Sequence, residues 1–528
     1  MSTPTGENSS LRDLERTVRA ELTLAESSVS EEEVLDTPIE NWLFDPADAQ
    51  RDAVALRSLL AAVETVEGGS HPHGNHLAAR DHCLNPSRAV DRPIGEARYG
   101  RMFPDLDALD TDPRLLVRAG DAGGICDAAA TLDRAGVDAD DAREAAGWPF
   151  FGQLIAHDIT ADRSPINGAV APGSLRNARA PQLNLEMIYS DGPTGAPYLF
   201  DIGEPAKFLL APGGVDVPRN QQGVALIGDP RNDSHRFALA LHVALLHAHN
   251  SIVDQLRRTG RPESDVFGTA RIILTWQYQW IVVHDFLPRL VGAGLVQEVL
   301  AEGGRWFAPP PHQAYIPLEF ADAAFRYGHG QIRHGYRLVE GGAPVPLFPD
   351  LVGFSPLPIG WQLDFAQVFD MPGRPPAQRA KRLDGSLAAS LIGLPEQLTG
   401  AVDTAAHHSL AVRDLLRGET TALPSGEAIA RTIGAEPLSA CEVEHPWPHG
   451  TPLWFYILKE AERRGGGDRL GPVGGRIVAE VLIGLLHADP TSYLSLEPGW
   501  QPTLPAAGPR FGLTDLLAPD VDRERGAW

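Results

Sequence analysis

Residues 148–160 read Trp-Pro-Phe-Phe-Gly-Gln-Leu-Ile-Ala-His-Asp-Ile-Thr. Apolar residues recur there at three- and four-residue spacing, which predicts a helix, with Gln153 and His157 projecting from one face above an apolar surface. The same period runs through Ser234–Arg257, Thr269–Val291, Pro317–Ile332, Pro452–Arg463 and Val473–Leu486, with a turn at Gly465–Asp468. Alternating strand patterns are scarce, so the predicted fold is mainly α with few short strands. The 45 Pro and 53 Gly punctuate the chain without a fixed period. No linker separates two comparable cores. Residues 1–97 read as an N-terminal extension, with one helix in 1–40 and a loop at 68–76. A single large helical domain spans 98–500, and 501–528 reads as a surface tail.

The 528 residues carry 45 Lys+Arg against 69 Asp+Glu, a formal charge of −24 at pH 7. An acidic surface repels phosphate backbones and anionic lipid, which argues against nucleic-acid and peripheral membrane partners. At 43% hydrophobic and 22% charged the composition is globular. The three cysteines, Cys83, Cys126 and Cys441, can build neither a disulfide framework nor a Cys-rich metal site. The longest apolar runs, such as Phe237–Leu246, fall well short of the roughly 18 residues of a membrane span. The first residues lack the basic start and apolar stretch of a secretory signal, and a cytoplasmic location is expected.

Three constellations carry chemistry. In the first, a buried His157 beside Gln153 suits a general base with an amide companion; alternatively it is a satisfied core histidine. The second is Gly228-Asp-Pro-Arg-Asn-Asp233, directly before a helix. Arg231 at that junction either aims a fixed charge into a cavity or pairs with Asp229 or Asp233. His242, His247 and His249 follow, but spacings of five and seven do not converge on a metal, so they read as structural. The third is Ala324-Phe-Arg-Tyr-Gly-His-Gly-Gln331. Glycines flanking His329 let something flat approach the imidazole, and Arg326 lies one turn earlier, placed for a haem propionate.

Taken together, the type, order and separation of these motifs resemble the animal-type haem peroxidases of the peroxidase–cyclooxygenase superfamily, particularly bacterial members. Gly152-Gln153, His157-Asp158, Arg231 ahead of a helix ending His249-Asn250, and Phe325–His329 carry the resemblance. The stretches 409–418, 423–426, 451–462 and 470–486 extend it to most of the chain. The resemblance implies a single haem-peroxidase domain in which His157 moves the peroxide proton, Arg231 stabilises charge, Gln153 is the distal hydrogen-bonding partner and His329 ligates the iron, with ferryl intermediates. The glycines of 471–475 lack the Lys-Ser/Thr ending of a phosphate loop.

Four positions depart from the family pattern. Ala156 and Ser234 stand where mammalian members form haem esters, and His235 stands where a Met forms a sulfonium link. Haem b is therefore expected to be non-covalent, with Asp233 the only candidate to form a link. Asp414 stands at the position of the Asn that holds the proximal histidine; it either accepts the His329 Nδ1 proton or is a surface residue facing Arg413 or Arg417. A calcium site is implied at Asp158, Asn184 and Glu186, although the loop's usual Thr, Asp and Ser are not all retained. Arg326 replaces the tyrosine that dioxygenases use for hydrogen abstraction, and Tyr327 is one residue too close to His329. The expected activity is H2O2-dependent oxidation of a small, aromatic organic donor. The alternatives are a haem oxygenating enzyme of specialised metabolism and a haem-binding protein with vestigial activity.

Overall fold

The computed structural model describes residues 99–131, 141–161, 177–402, 404–504, 506–508 and 510–518. They belong to one compact unit that begins at His82. The expectations for residues 1–97, including the loop at 68–76, lie outside the described residues, as does Cys83.

The fold is mainly α. Its principal helices are α1 (Pro113–Gly120), α2 (Trp148–Ile159), α3 (Arg236–Arg258), α4 (Glu263–Ile281), α5 (Ala293–Glu302), α6 (Leu410–Thr420), α7 (Gly426–Ile433), α8 (Leu453–Gly465) and α9 (Pro472–Ala488). Among the described residues the strands form three two-stranded pairs. β1 (Tyr99–Gly100) runs parallel to β3 (Ile316–Pro317), β2 (Asp141–Ala145) antiparallel to β6 (Arg379–Lys381), and β4 (Gly335–Tyr336) antiparallel to β5 (Val345–Pro346). Among the described residues, no helix is long and apolar enough to cross a membrane.

Helix α2 is apolar on nearly every side because it is buried on nearly every side. It packs on α3 and on the 3-10 segment Ala324–Gln331, which in turn packs on α8. Pro149 fits its first turn, where a missing N–H costs nothing. Gly147 is required just before it, since a Cβ there would lie 2.3 Å from the Phe369 ring. At the other end Thr160 turns extended, and its hydroxyl donates to the Ala156 carbonyl (2.7 Å).

Three expectations are corrected. The period over Pro317–Ile332 predicts one helix; the chain instead makes β3, a single α turn at Leu318–Ala321, and 3-10 helix over Ala324–Gln331. Gly328 and Gly330 disfavour the α-helix, and the tighter 3-10 winding brings positions three apart into line. Helix α3 runs past the His249-Asn250 end that the resemblance implies and reaches Arg258, close to where the period over Ser234–Arg257 puts it. The C-terminal segment does not simply lie on the surface: Leu513–Leu517 forms a short helix packed on α3, with Leu513, Leu516 and Leu517 buried.

The start of helix α9 is capped by a side chain from α8. The Glu460 carboxylate on α8 accepts from the Val473 and Gly474 N–H groups at the start of α9 (2.9 and 3.2 Å). The glycines of 471–475 thus open a helix whose free donors are met by a buried acid, as the absence of a phosphate-loop ending implies.

Candidate active site

His157, Arg231, Gln153 and His329 all line one cavity of about 340 Å³, together with Phe150, Phe325 and Phe348. A larger cavity of about 820 Å³ lies against α3; within its lining Arg374 pairs with Asp364 (3.0 Å), and Arg236 donates to Ser355. The smaller cavity holds the convergent groups.

His157 sits near the end of α2, and its Nδ1 lies 2.7 Å from Asn232 Oδ1. The Asn232 amide NH2 is 3.0 Å from His242 Nδ1. With Asn232 donating to His242, its carbonyl must accept from His157 Nδ1–H, which leaves His157 Nε2 unprotonated. Burial, then the Arg231 charge, lower the His157 pKa to about 4, against the opposing pull of Asp229 and Asn232. At neutral pH this imidazole is a neutral base.

Gln153 is not bonded to His157, as their one-turn spacing suggested. Its Oε1 accepts from His235 Nε2 (2.7 Å), while His235 Nδ1 accepts from the Ala238 N–H at the start of α3. Burial lowers the His235 pKa to about 3, so it stays neutral. With its carbonyl engaged, Gln153 keeps its amide NH2 as a donor. His235 is therefore the brace of Gln153.

Arg231 satisfies both of its sequence readings. It pairs with Asp229 through Nε (3.0 Å) and Nη2 (2.7 Å), and it also lines the cavity. Nη2 donates further to the carbonyl oxygens of His157 (3.0 Å) and Thr160 (2.7 Å) at the end of α2. The Pro230–Asp233 3-10 turn places it there, with Asp229 as N-cap. Burial pushes the Asp229 carboxyl up, but the Arg231 charge and hydrogen bonds, with Arg179 behind them, outweigh it and hold it well below the usual carboxylate range. Asp233, the candidate for a covalent haem link, is 2% exposed and bonded through both oxygens to Arg219 (2.7 Å each). The cavity meets Ala156 and Ser234 instead, neither of which can form an ester.

On the opposite segment, His329 Nδ1 lies 2.6 Å from Asp414 Oδ2. Asp414 is fully buried on α6 and faces His329, not solvent. Its second oxygen accepts from Arg326 Nη1 (2.9 Å). The 3-10 winding makes this possible, because Arg326 and His329 are three apart and eclipsed. Arg326, expected to meet a propionate, lines the cavity, and its nitrogens donate to Ala321, Asp414 and Asp322, so it steadies the carboxylate behind the imidazole. His329 Nε2 remains free, and an imidazole with a carboxylate on Nδ1, aimed into an apolar cavity, fits a haem iron.

The calcium expectation does not fit the donors present. Glu186 pairs with Arg179 (3.2 Å) and accepts from Ala180 N–H, Asp158 accepts from Leu185 N–H (3.0 Å), and Asn184 Oδ1 accepts from Glu186 N–H (3.0 Å). Among the described residues no three metal-ligating side chains converge. A buried guanidinium stands where a cation would have to compete.

Asn232, His235, Asp229 and Arg179 were not singled out as functional in sequence. Asn232 and Asp229 lie within the quoted 228–233 motif, the one signal that could have found them. Arg179 had none.

Residues 174–414 match the family described as animal haem peroxidase. Over that range the chain is similar to an animal haem peroxidase domain. The matched range holds Arg231, His329 and Asp414, and it begins after helix α2. Heme peroxidase 2 of Caenorhabditis elegans is 25% identical over 306 residues, 52% of this chain and 40% of that protein. Dual oxidase of Drosophila melanogaster is 27% identical over 119 residues, 21% of this chain and 7% of that protein. The chain thus spans less than half the length of these curated relatives. The chain shares its fold with Peroxidase A from Dictyostelium discoideum (TM-score 0.53, 15% identity, 76% of this chain and 88% of that one).

Proposed function

We propose that this protein reduces hydrogen peroxide and oxidises a small aromatic donor, using non-covalent haem b held on His329. The observation that carries this reading is the single cavity lined on one side by a neutral histidine, an arginine and a free amide donor, and on the other by a carboxylate-backed histidine. A haem carrier needs only the second. Bound there, haem would supply the iron that takes two oxidising equivalents from peroxide and passes them on to the donor one at a time.

The chain's own residues do the rest. His157 Nε2 takes the proton from the entering peroxide and delivers it to the departing oxygen, which leaves as water. Asn232 keeps the proton of the other ring nitrogen on Nδ1, so Nε2 is always the basic one. Arg231 is held by Asp229 and two carbonyl oxygens, so its positive charge opposes the charge that develops as the O–O bond breaks without moving to do so. The Gln153 amide donates to oxygen in the cavity, oriented by His235. Asp414 draws on the Nδ1 proton of His329 and makes its Nε2 a stronger donor to iron. Phe150, Phe320, Phe325 and Phe348 give an aromatic donor an apolar surface. The free thiols of Cys126 and Cys441 are consistent with a reducing, cytoplasmic setting.

The test is an absorption spectrum of haemin-loaded protein before and after one equivalent of H2O2, followed by extraction into acidified acetone. A Soret band that shifts with peroxide and haem that leaves into the acetone are expected. His329→Ala should lose the ligated-haem spectrum. His157→Ala should keep it but react with peroxide roughly 100- to 10,000-fold more slowly. Wild-type behaviour in both variants would overturn the assignment.

A further inference from the structure

Arg179 is buried, with its side chain 9% exposed, and it pairs with two carboxylates. Nη1 donates to Glu186 (3.2 Å), and Nη2 donates to Asp229 (2.7 Å) and to the Gly228 carbonyl (2.9 Å). Asp158 feels its charge as well. The loop carrying Arg179 is tied to the end of α2: Asn177 donates to the Ile159 carbonyl (2.7 Å) and accepts from the Ala161 N–H (2.8 Å). These bonds close a ring. From the end of α2 it runs through Asn177 to Arg179, through Asp229 to Arg231, and from Arg231 back to the His157 and Thr160 carbonyls at the same helix end.

We infer that Arg179 does the work of a bound cation: its guanidinium neutralises and cross-links the carboxylates behind the distal wall, the chain needs no calcium there, and Arg179 is the positioning residue that sets Arg231 through Asp229. A divalent ion would need several oxygens turned toward one point. Here Glu186 and Asp229 both face a fixed, permanently charged fork, and a guanidinium matches carboxylates at defined angles. A calcium ion entering this cluster would meet a like charge that cannot leave. The cross-link is therefore built into the chain and independent of metal supply.

The positioning half rests on the proposed peroxide chemistry; the metal half does not. The first experiment uses wild-type holoprotein: metal content after exposure to Ca2+ and desalting, and the melting temperature with and without EGTA. Calcium far below one per chain and an unchanged melting temperature are expected. One calcium per chain, with EGTA lowering the melting temperature, would overturn the inference. The second uses Arg179→Lys and the double variant Arg179→Met/Glu186→Gln, which avoids stranding the Glu186 charge. The double variant should bind haem with an unaltered ferric spectrum and reduce the donor-oxidation step little. Its peroxide step should fall roughly 10- to 100-fold, the scale of a misplaced catalytic group. Arg179→Lys should recover part of that loss. A wild-type peroxide step in the double variant would overturn the positioning role. If the wild type does not react with peroxide at all, the proposed function fails, and metal content and melting still decide between guanidinium and calcium.

Discussion

Asn232 bonds two imidazoles at once, and this makes it the residue that decides which nitrogen of His157 is basic. Because burial and Arg231 lower the His157 pKa to about 4, the peroxide step should be flat from neutral pH down to about pH 5 and fall only near about pH 4, when the imidazole takes up a proton. Asn232→Asp places a negative charge 2.7 Å from His157 Nδ1, which favours the imidazolium. The acid limb should then move up by roughly one pH unit or more. Stopped-flow rates across the pH range check both statements, and an unmoved limb in Asn232→Asp would separate His157 from the observed proton. The residues that touch the cavity were legible in sequence, since His157, Arg231 and His329 each sit in a recognisable local motif. Their partners were less so. Asn232 reaches His157 across 75 positions, and a hydrogen bond over that distance leaves no period or spacing to read; Asp414, 85 positions from His329, was reached only through its place in the family pattern.

At the scale of elements, helices were readable wherever one long apolar period ran, as in α2, α3, α8 and α9, and the period carried through Gly152 in α2 and Gly474, Gly475 and Gly484 in α9. The proximal segment was not, because its period survived while its winding changed; two glycines and the demand that Arg326 and His329 share Asp414 favour 3-10 over α. The start of α9 gives a prediction of its own. Burial pushes the Glu460 carboxyl up to about 7, although it accepts from Val473 and Gly474 N–H groups, so the folded chain holds that proton more tightly than the unfolded one. Its ionisation therefore opposes folding as pH rises from about 4.5 to about 7. Glu460→Gln keeps an acceptor for the helix and cannot ionise. The difference in melting temperature between Glu460→Gln and wild type should shift in favour of the variant between about pH 5 and about pH 8. Glu460→Ala, which strands the helix donors, should cost roughly 2 kcal/mol at any pH. A constant difference for the Gln variant would mean that the carboxyl does not titrate in this range.

For the whole molecule, the site and the core are one set of buried polar groups, and that sets how the fold responds to acid. His157, His242 and His249 are lowered by burial to about 4 and His235 to about 3. Between these values and 6.5 the unfolded chain binds protons that the folded chain refuses, so the stability they contribute is full above about pH 6.5 and is lost as pH falls. Asp158 and Glu460, both pushed up to about 7 by burial, act in the opposite sense over the same range. Burial lowers His284 to about 4 as well, so five histidines against two carboxyls leave a difference of about three protons near pH 5.5, and stability falls with falling pH. The melting temperature of the haem-free chain should therefore fall steeply from about pH 7 to about pH 5. His249→Gln tests the source, since His249 bonds Tyr189 and the Ala206 carbonyl and does not line the cavity. Whatever that substitution costs at neutral pH, it should remove one proton from the acid response, and the melting curve of the variant should be shallower against pH than that of the wild type. Parallel curves would show that His249 is not among the groups that unfold this protein in acid.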